Sequence, residues 1–243
     1  MRRIRFKDED GSVLIGEMKG DEVEHEDNIY RVDEVDILPP VKPTKLVCIG
    51  LNYEDHAEET GRDIPDRPKL FLKTPNTVAA HQETIELLKD KKRIDHEAEL
   101  GVVIGKRCKN VDKEDAMDQV MGFTCVNDLS NRDDQRQEQN WVRGKAFDKA
   151  APIGPVVAEK KHVPEDAEIK AIVNGEVKQS STIDQLAFSI PELIEEITTY
   201  MTLERGDIIS TGTPSGVGPI EDGDEVEIEI EGIGTLRNYF IKS

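Results

Sequence analysis

Two glutamates separated by one residue are the first feature of this sequence that could perform chemistry. Glu97 and Glu99 lie within residues 94–104, where the order of apolar and polar residues indicates a β-strand. Because side chains alternate along a strand, both carboxylates point to one face and can reach a single cation. For an isolated Glu-x-Glu pattern, however, a solvated strand face is the simpler explanation.

A third acid favours a cation site over a solvated face. A short apolar run leads into Asp128 in the segment Cys125-Val126-Asn127-Asp128, so this acid is expected at the end of a strand. Three carboxylates without a competing His or Cys ligand describe a hard oxygen site, which favours Mg²⁺ or Mn²⁺ over Zn²⁺ and leaves coordination positions open. His96 lies on the opposite strand face, so we expect it to be a structural histidine.

A histidine and a glutamate in residues 53–60 form a second candidate pair. This segment is typical of a short helix that ends at Gly61. His56 and Glu59 are three positions apart, so they share a helix face, and the carboxylate can orient the imidazole and support its charge. Glu58 could take the same role, because sequence does not fix the helix phase to one residue. A surface histidine on an acidic helix is the other interpretation.

Short strands are the predominant elements expected around these residues. Three prolines within residues 39–43 indicate a stiff linker. It separates a small N-terminal β unit, residues 1–40, from residues 44–243. Strands are predicted at residues 4–6, 13–17, 29–32, 46–50, 69–73, 100–104, 207–211, 224–231 and 235–241, and helices at 53–60, 113–121 and 190–201.

Composition excludes several classes of function. A net charge of −19 would repel a nucleic-acid backbone. The basic N-terminus runs into acids at residues 8–10 instead of the apolar core of a signal peptide. No apolar run approaches the roughly 20 residues of a membrane-spanning helix, so we expect a cytoplasmic protein without membrane contact. Three widely spaced cysteines in apolar surroundings predict buried thiols and neither disulfides nor a zinc site.

Seven segments, in family order, resemble the fumarylacetoacetate hydrolase family. They extend over nearly all of residues 46–238, whereas the first 38 residues match less specifically. Each segment alone is a weak signal, but the joint pattern is specific. The segments are GLNYEDHAEE (50–59), FLKTP (71–75), HEAELG (96–101), NDLSNRD (127–133), GKAFD (144–148), VNGE (173–176) and GTPSGVG (212–218).

The resemblance implies a role for each candidate residue. Glu97, Glu99 and Asp128 would bind Mg²⁺ or Mn²⁺, and His56 with Glu59 would activate a water molecule.

Lys145 would be the third catalytic residue, where its ammonium stabilises an oxyanion or a substrate carboxylate. For Lys145 the alternative interpretation is a solvent-exposed lysine, and for Arg132 it is a surface salt bridge. The residues implied to bind substrate are Lys73, Arg132, Gln135 and Thr213.

The resemblance also implies a fold and an activity. The expected fold is α+β and strand-dominated: a mixed β-sandwich roll with the small N-terminal β unit, usually a homodimer. The leading expectation is a hydrolase that cleaves a C–C bond in an acylpyruvate such as fumarylpyruvate through a metal-stabilised enolate. The alternatives on the same metal site are oxaloacetate decarboxylation, 2-hydroxyhepta-2,4-diene-1,7-dioate isomerisation and dehydration of 2-keto-3-deoxy sugar acids. A catalytically idle metal-binding protein would lack part of the dyad or Lys145, and all three residues are present.

Overall fold

Strands dominate the fold. The computed structural model describes residues 1–242, which form twenty strands and four α-helices. The strands are β1 (Arg2–Lys7), β2 (Val13–Lys19), β3 (Glu22–His25), β4 (Asn28–Arg31), β5 (Asp36–Leu38), β6 (Leu46–Gly50), β7 (Lys69–Lys73), β8 (Val78–Ala79), β9 (Thr84–Glu86), β10 (Ile94–His96), β11 (Ala98–Ile104), β12 (Val120–Asn127), β13 (Ser130–Asn131), β14 (Ala151–Ala158), β15 (Glu168–Val173), β16 (Glu176–Thr182), β17 (Ile208–Ser210), β18 (Gly218–Pro219), β19 (Glu225–Ile230) and β20 (Gly234–Ile241).

Helices are few and short. The longest, α4, begins at a capping box formed by Ser189 and Glu192. Among residues 1–242, no helix is long and apolar enough to cross a membrane. The α-helices are α1 (Glu54–Thr60), α2 (Arg132–Gln135), α3 (Val142–Lys145) and α4 (Ile190–Tyr200), and the 3₁₀ segments are Val32–Glu34, Pro75–Thr77, Lys113–Gln119, Lys160–His162 and Ile183–Gln185.

The strands pair into three sheets of twelve, five and three strands. The order in the largest sheet is β4-β3-β2-β1-β14-β12-β11-β17-β6-β7, with β5 beside β1 and β8 beside β14. The five-stranded sheet has the order β16-β15-β19-β20-β9, and the smallest has the order β13-β10-β18. Since β1 pairs with β14, the N-terminal strands extend the largest sheet. The division at the proline-rich segment therefore stays a prediction.

The core lies where the five-stranded sheet packs against β11, β12 and β14. Strand β19 buries Val226, Ile228 and Ile230 there and turns its acids outward, which is the alternation expected of a half-buried strand. Strand β11 is buried along its whole length, because its second face packs Val103 into another apolar cluster. Glu99 belongs to that second face, so it is buried on a strand that is covered on both sides.

The strand-dominated α+β class and most predicted elements are confirmed. The helix predicted at residues 113–121 is only partly correct: a 3₁₀ segment ends at Gln119, and Val120 begins β12. Val120 pairs with Ile104 of β11, so burial within the sheet outweighs the local helical pattern. Cys48, Cys108 and Cys125 are buried free thiols, as expected.

A glycine in β12 provides a test of the close packing between β12 and β14. A Cβ atom on Gly122 would lie 2.2 Å from the carbonyl oxygen of Ala158, so the strands would have to separate. We expect Gly122→Ala to lower the free energy of unfolding by roughly 1–3 kcal/mol in urea denaturation. Gly50→Ala is the matched control, because its Cβ would meet no atom closer than 3.6 Å. Equal stability of the two variants would contradict this packing.

Candidate metal centre and active site

Three carboxylates converge where the largest and smallest sheets meet. Strand β10 ends at His96 and β11 begins at Ala98, so Glu97 occupies the break between strands of two different sheets. The continuous strand expected over residues 94–104 is therefore wrong at Glu97. Asp128 follows β12 directly, and its backbone N–H donates to the carbonyl oxygen of Glu97 at 2.9 Å. One oxygen from each of Glu97, Glu99 and Asp128 lies within 4.8 Å of the other two.

Cations surround two of the three acids. Lys145 Nζ lies 2.7 Å from Glu97 Oε2 and 2.8 Å from Asp128 Oδ2. Lys73 Nζ contacts Asp128 Oδ1 at 2.7 Å, and Arg132 pairs with Glu97. Such pairing is required, because an isolated charge is very costly to bury.

Glu99 differs from the other two acids, since its partners are neutral. Its Oε2 accepts hydrogen bonds from Ser210 Oγ at 2.5 Å and from the backbone N–H of Gly212 at 3.0 Å. Gly212 has φ +100, and a Cβ there would lie 2.9 Å from Asn52 Cβ, so a glycine is needed where this amide approaches Glu99. The centre thus has one buried carboxylate without a cationic partner among residues 1–242.

The electrostatic effects on the acids follow from these partners. Burial alone would raise the pKa of Glu97, but the charges of Lys145 and Arg132 outweigh it and lower the pKa to about 2. Burial, and then the negative charges of Asp128 and Glu97, raise the pKa of Glu99 well above its ordinary value. A cation beside Glu99 would stabilise its charged form and so lower this pKa again.

The arrangement of free oxygens fits a hard divalent cation. Both hydrogen bonds to Glu99 end on Oε2, so Oε1 accepts none from residues 1–242. Asp128 Oδ1 is buried, and its contact with Lys73 is an ion pair without hydrogen-bond geometry. Among residues 1–242, this cluster of ligand atoms includes no thiol or imidazole, and carboxylate oxygens alone are ligands suited to Mg²⁺ or Mn²⁺. Glu97, Glu99 and Asp128 are therefore the residues that would hold such an ion.

The histidine and glutamate of α1 form a hydrogen-bonded pair. His56 Nδ1 lies 3.0 Å from Glu59 Oε2, so the partner is Glu59 and not Glu58. Glu59 Oε1 accepts a second hydrogen bond, from the N–H of Gly216 at 3.1 Å. The helix ends at Gly61, which has φ +62 and closes the last turn with its own N–H.

Helix α1 is docked on the body of the protein by both its ends. Tyr53, immediately before the helix, is fully buried, and Ala57 is buried within it. Asp55 accepts a hydrogen bond from Ser181 Oγ at 2.9 Å. These contacts hold α1 where His56 lines the same cavity as Glu97 and Glu99.

A cavity of about 390 Å³ joins the carboxylates to α1. Asp128, Lys73 and Glu59 are not among its lining residues. The predicted site residues that line it are His56, Glu97, Glu99, Arg132, Gln135, Lys145 and Thr213.

Lys73, which the resemblance implies to be a substrate-binding residue, is fully buried behind Asp128. Its Nζ donates to the carbonyl oxygens of Leu129 at 3.0 Å and Ala150 at 2.6 Å. A lysine with these contacts positions Asp128 instead of facing the cavity.

Three residues predicted to bind substrate, Arg132, Gln135 and Thr213, are held by hydrogen bonds to neighbouring side chains. Gln135 Oε1 accepts from Arg132 Nη1 at 2.7 Å, and Arg132 Nε donates to Asp95 at 2.8 Å. Thr213 Oγ1 accepts from Gln179 Nε2 at 2.8 Å. Their orientations are therefore fixed before any substrate binds.

Gln179 of β16 is a residue that the sequence analysis missed. Its Oε1 accepts from the N–H of Ala98 at 3.0 Å and lies 3.1 Å from His96 Nδ1. Because its Nε2 donates to Thr213, Gln179 connects the break at Glu97 to residues 211–218. A glutamine in a strand gives no signal of such a role in the sequence. His96 faces this amide, which agrees with its predicted structural role.

Comparison with known proteins places this architecture in a family. Residues 45–241 match the family described as fumarylacetoacetate (FAA) hydrolase C-terminal. Oxaloacetate tautomerase YisK of Bacillus subtilis is 44% identical over 224 residues, which covers 86% of this chain and 74% of the relative.

Two solved structures show the same fold. The 5-carboxymethyl-2-hydroxymuconate delta-isomerase of Mycobacterium smegmatis has a TM-score of 0.92 and 39% identity, covering 100% of this chain and 99% of the other. The fumarylpyruvate hydrolase of Pseudomonas aeruginosa, solved with Mn²⁺ and pyruvate, has a TM-score of 0.76 and 34% identity, covering 82% and 90%. The chain belongs to the fumarylacetoacetate hydrolase family, a family of enzymes.

Proposed function

We propose that this protein is a divalent-metal-dependent enzyme that converts 2-oxo acids through their enolates, with keto–enol tautomerisation of oxaloacetate as its reaction. The observation that carries the proposal is the position of His56. Its Nδ1 is engaged by Glu59, while its ring lines the same cavity as Glu97 and Glu99. A base that faces a cation site is the arrangement needed to move a proton at the carbon next to a carbonyl group.

The chain's own residues divide the work of this reaction. Glu59 accepts the Nδ1 proton of His56, which leaves Nε2 free to take a proton from C3 of the substrate and return it to the 2-oxo oxygen. Lys145 supplies positive charge beside the developing enolate. A cation held by Glu97, Glu99 and Asp128 would supply Lewis-acid stabilisation of the same negative charge. Only a proton changes position, so no other reactant is needed.

One comparison also supports this reaction. The Bacillus subtilis relative carries the name oxaloacetate tautomerase, and its similarity extends through the segments that carry His56 and the three acids. Assembly as a homodimer, implied by the family resemblance, and a cytoplasmic location, expected from the sequence, stay predictions.

Hydrolysis of an acylpyruvate is the second candidate. It is favoured by the extent of the cavity, which continues past His56 to Pro65, Phe71 and Trp141 and so offers room beyond a four-carbon acid. In this reaction His56 would take a proton from water as the water attacks the 4-oxo carbon. The bond between C3 and C4 then breaks, the proton held by His56 passes to C3, and pyruvate and a carboxylic acid leave. The structural similarity to a fumarylpyruvate hydrolase supports this candidate.

A direct test follows the disappearance of enol-oxaloacetate by absorbance with Mg²⁺ or Mn²⁺, beside an assay of pyruvate release from fumarylpyruvate. We expect faster tautomerisation than in buffer, and a loss of roughly 10²- to 10⁴-fold in His56→Ala, the range typical of losing a general base. His162→Ala is the control, because His162 is exposed and outside the cavity. Faster cleavage of fumarylpyruvate would favour the second candidate, and activity independent of His56 would contradict both.

Metal binding can be tested without any substrate. We expect Glu99→Ala to weaken Mn²⁺ binding by at least about 100-fold in calorimetric titration, since even indirect partners of metal ligands typically change affinity 10- to 100-fold. Glu229→Ala is the matched control, a half-buried strand glutamate outside the cavity. Unfolding curves would confirm that both variants are folded. Wild-type Mn²⁺ affinity in Glu99→Ala would remove Glu99 from the metal centre.

A further inference from the structure

Two cationic side chains stand at the mouth of the cavity without an acidic partner. Arg62 follows α1 directly after Gly61, and Lys69 is the first residue of β7. Both line the cavity, together with His56 and Trp141. Among residues 1–242, neither cation takes part in an ion pair, although the chain carries 51 acidic and 32 basic residues. Both cations are therefore available to pair with a bound anion.

The lysine of this pair is held in place by aromatic residues. Lys69 Nζ lies 3.9 Å from the centre of the Trp141 ring, a cation–π contact. The indole in turn meets the Phe71 ring edge-on, with centroids 5.4 Å apart. Trp141 has φ +55, so its backbone adopts the left-handed conformation that presents the ring at this position. The ammonium group is thereby fixed toward the cavity mouth.

The two cations are close enough to affect each other. Burial, and then the positive charge of Arg62, lower the pKa of Lys69. Asp63 lines the same cavity but forms no ion pair with either cation among the described residues. Two like charges that line one cavity repel each other, and a bound anion in contact with both would relieve that repulsion. The guanidinium of Arg62 could donate two parallel hydrogen bonds to a carboxylate.

We propose that Arg62 and Lys69 bind the second carboxylate of a 2-oxodicarboxylate, an inference that rests on the proposed function because it assumes that the 2-oxo acid end lies at the metal centre. The cavity is lined by the buried acids Glu97 and Glu99, by His56 and, where it is exposed to solvent, by the two cations. A substrate with a carboxylate at each end matches this distribution of charge. A monocarboxylate would leave the two cations at the mouth unpaired.

The test compares pairs of 2-oxo acids that differ only at the far end. With Mg²⁺ present, calorimetry would measure the binding of 2-oxoglutarate against 2-oxopentanoate and of 2-oxoadipate against 2-oxohexanoate. Oxalate reports on the metal centre alone. Because Trp141 is the single tryptophan of the chain, its fluorescence would report whether each ligand reaches the mouth.

We expect the wild-type protein to prefer the dicarboxylate of at least one pair by tenfold or more, as one charge-assisted contact is worth about a factor of ten. Arg62→Met and Lys69→Met should each remove most of that preference and leave oxalate affinity within a few-fold. Arg67→Met is the matched control, since Arg67 lies outside the cavity and pairs with Glu196 at 2.7 Å.

The two proposals can fail separately. Equal affinities within both pairs, or a preference that survives in the double variant Arg62→Met with Lys69→Met, would overturn the role of the two cations, whatever the enzyme does to oxaloacetate. A preference that depends on both cations would support their role even if no tautomerisation is observed. In that case the proposed reaction fails and the binding of dicarboxylates stands.

Discussion

Like charges repel, and in this protein three buried carboxylates lie within 4.8 Å of one another. The surrounding strands and helices supply cations that offset this repulsion. Lys73 comes from β7, Arg132 begins α2 and Lys145 ends α3, so three separate parts of the chain each deliver one cation. The balance stays incomplete at Glu99, whose partners are a hydroxyl and an amide. A metal ion bound beside Glu99 would supply the positive charge that this carboxylate lacks.

The sequence alone allowed prediction of those site residues whose positions follow from local periodicity. Alternation along a strand pointed to Glu97 and Glu99, the end of an apolar run pointed to Asp128, and a three-residue spacing pointed to His56 with a nearby acid. The break at Glu97 was missed, because strand patterns do not show that consecutive residues pair with different sheets.

The side-chain orientations that could not be predicted depend on contacts between segments that are distant in sequence. Whether Glu58 or Glu59 faces His56 depends on how α1 docks on residues 211–218. Lys73 has the sequence context of a site lysine, yet its neighbours Leu129 and Ala150 turn it behind Asp128. The role of Gln179 likewise arises from three partners in two other segments. The family resemblance identified these regions but not the direction in which each side chain points.

Residues 211–218 contact both Glu99 and the His56–Glu59 pair. The N–H of Gly212 holds Glu99, and four positions later the N–H of Gly216 holds Glu59, the partner of His56. Glu99 and the His56–Glu59 pair are therefore held by one short stretch of backbone. A displacement of residues 211–218 would move Glu99 and Glu59 together. The distance between these two side chains should therefore vary less with thermal motion than if separate segments held them.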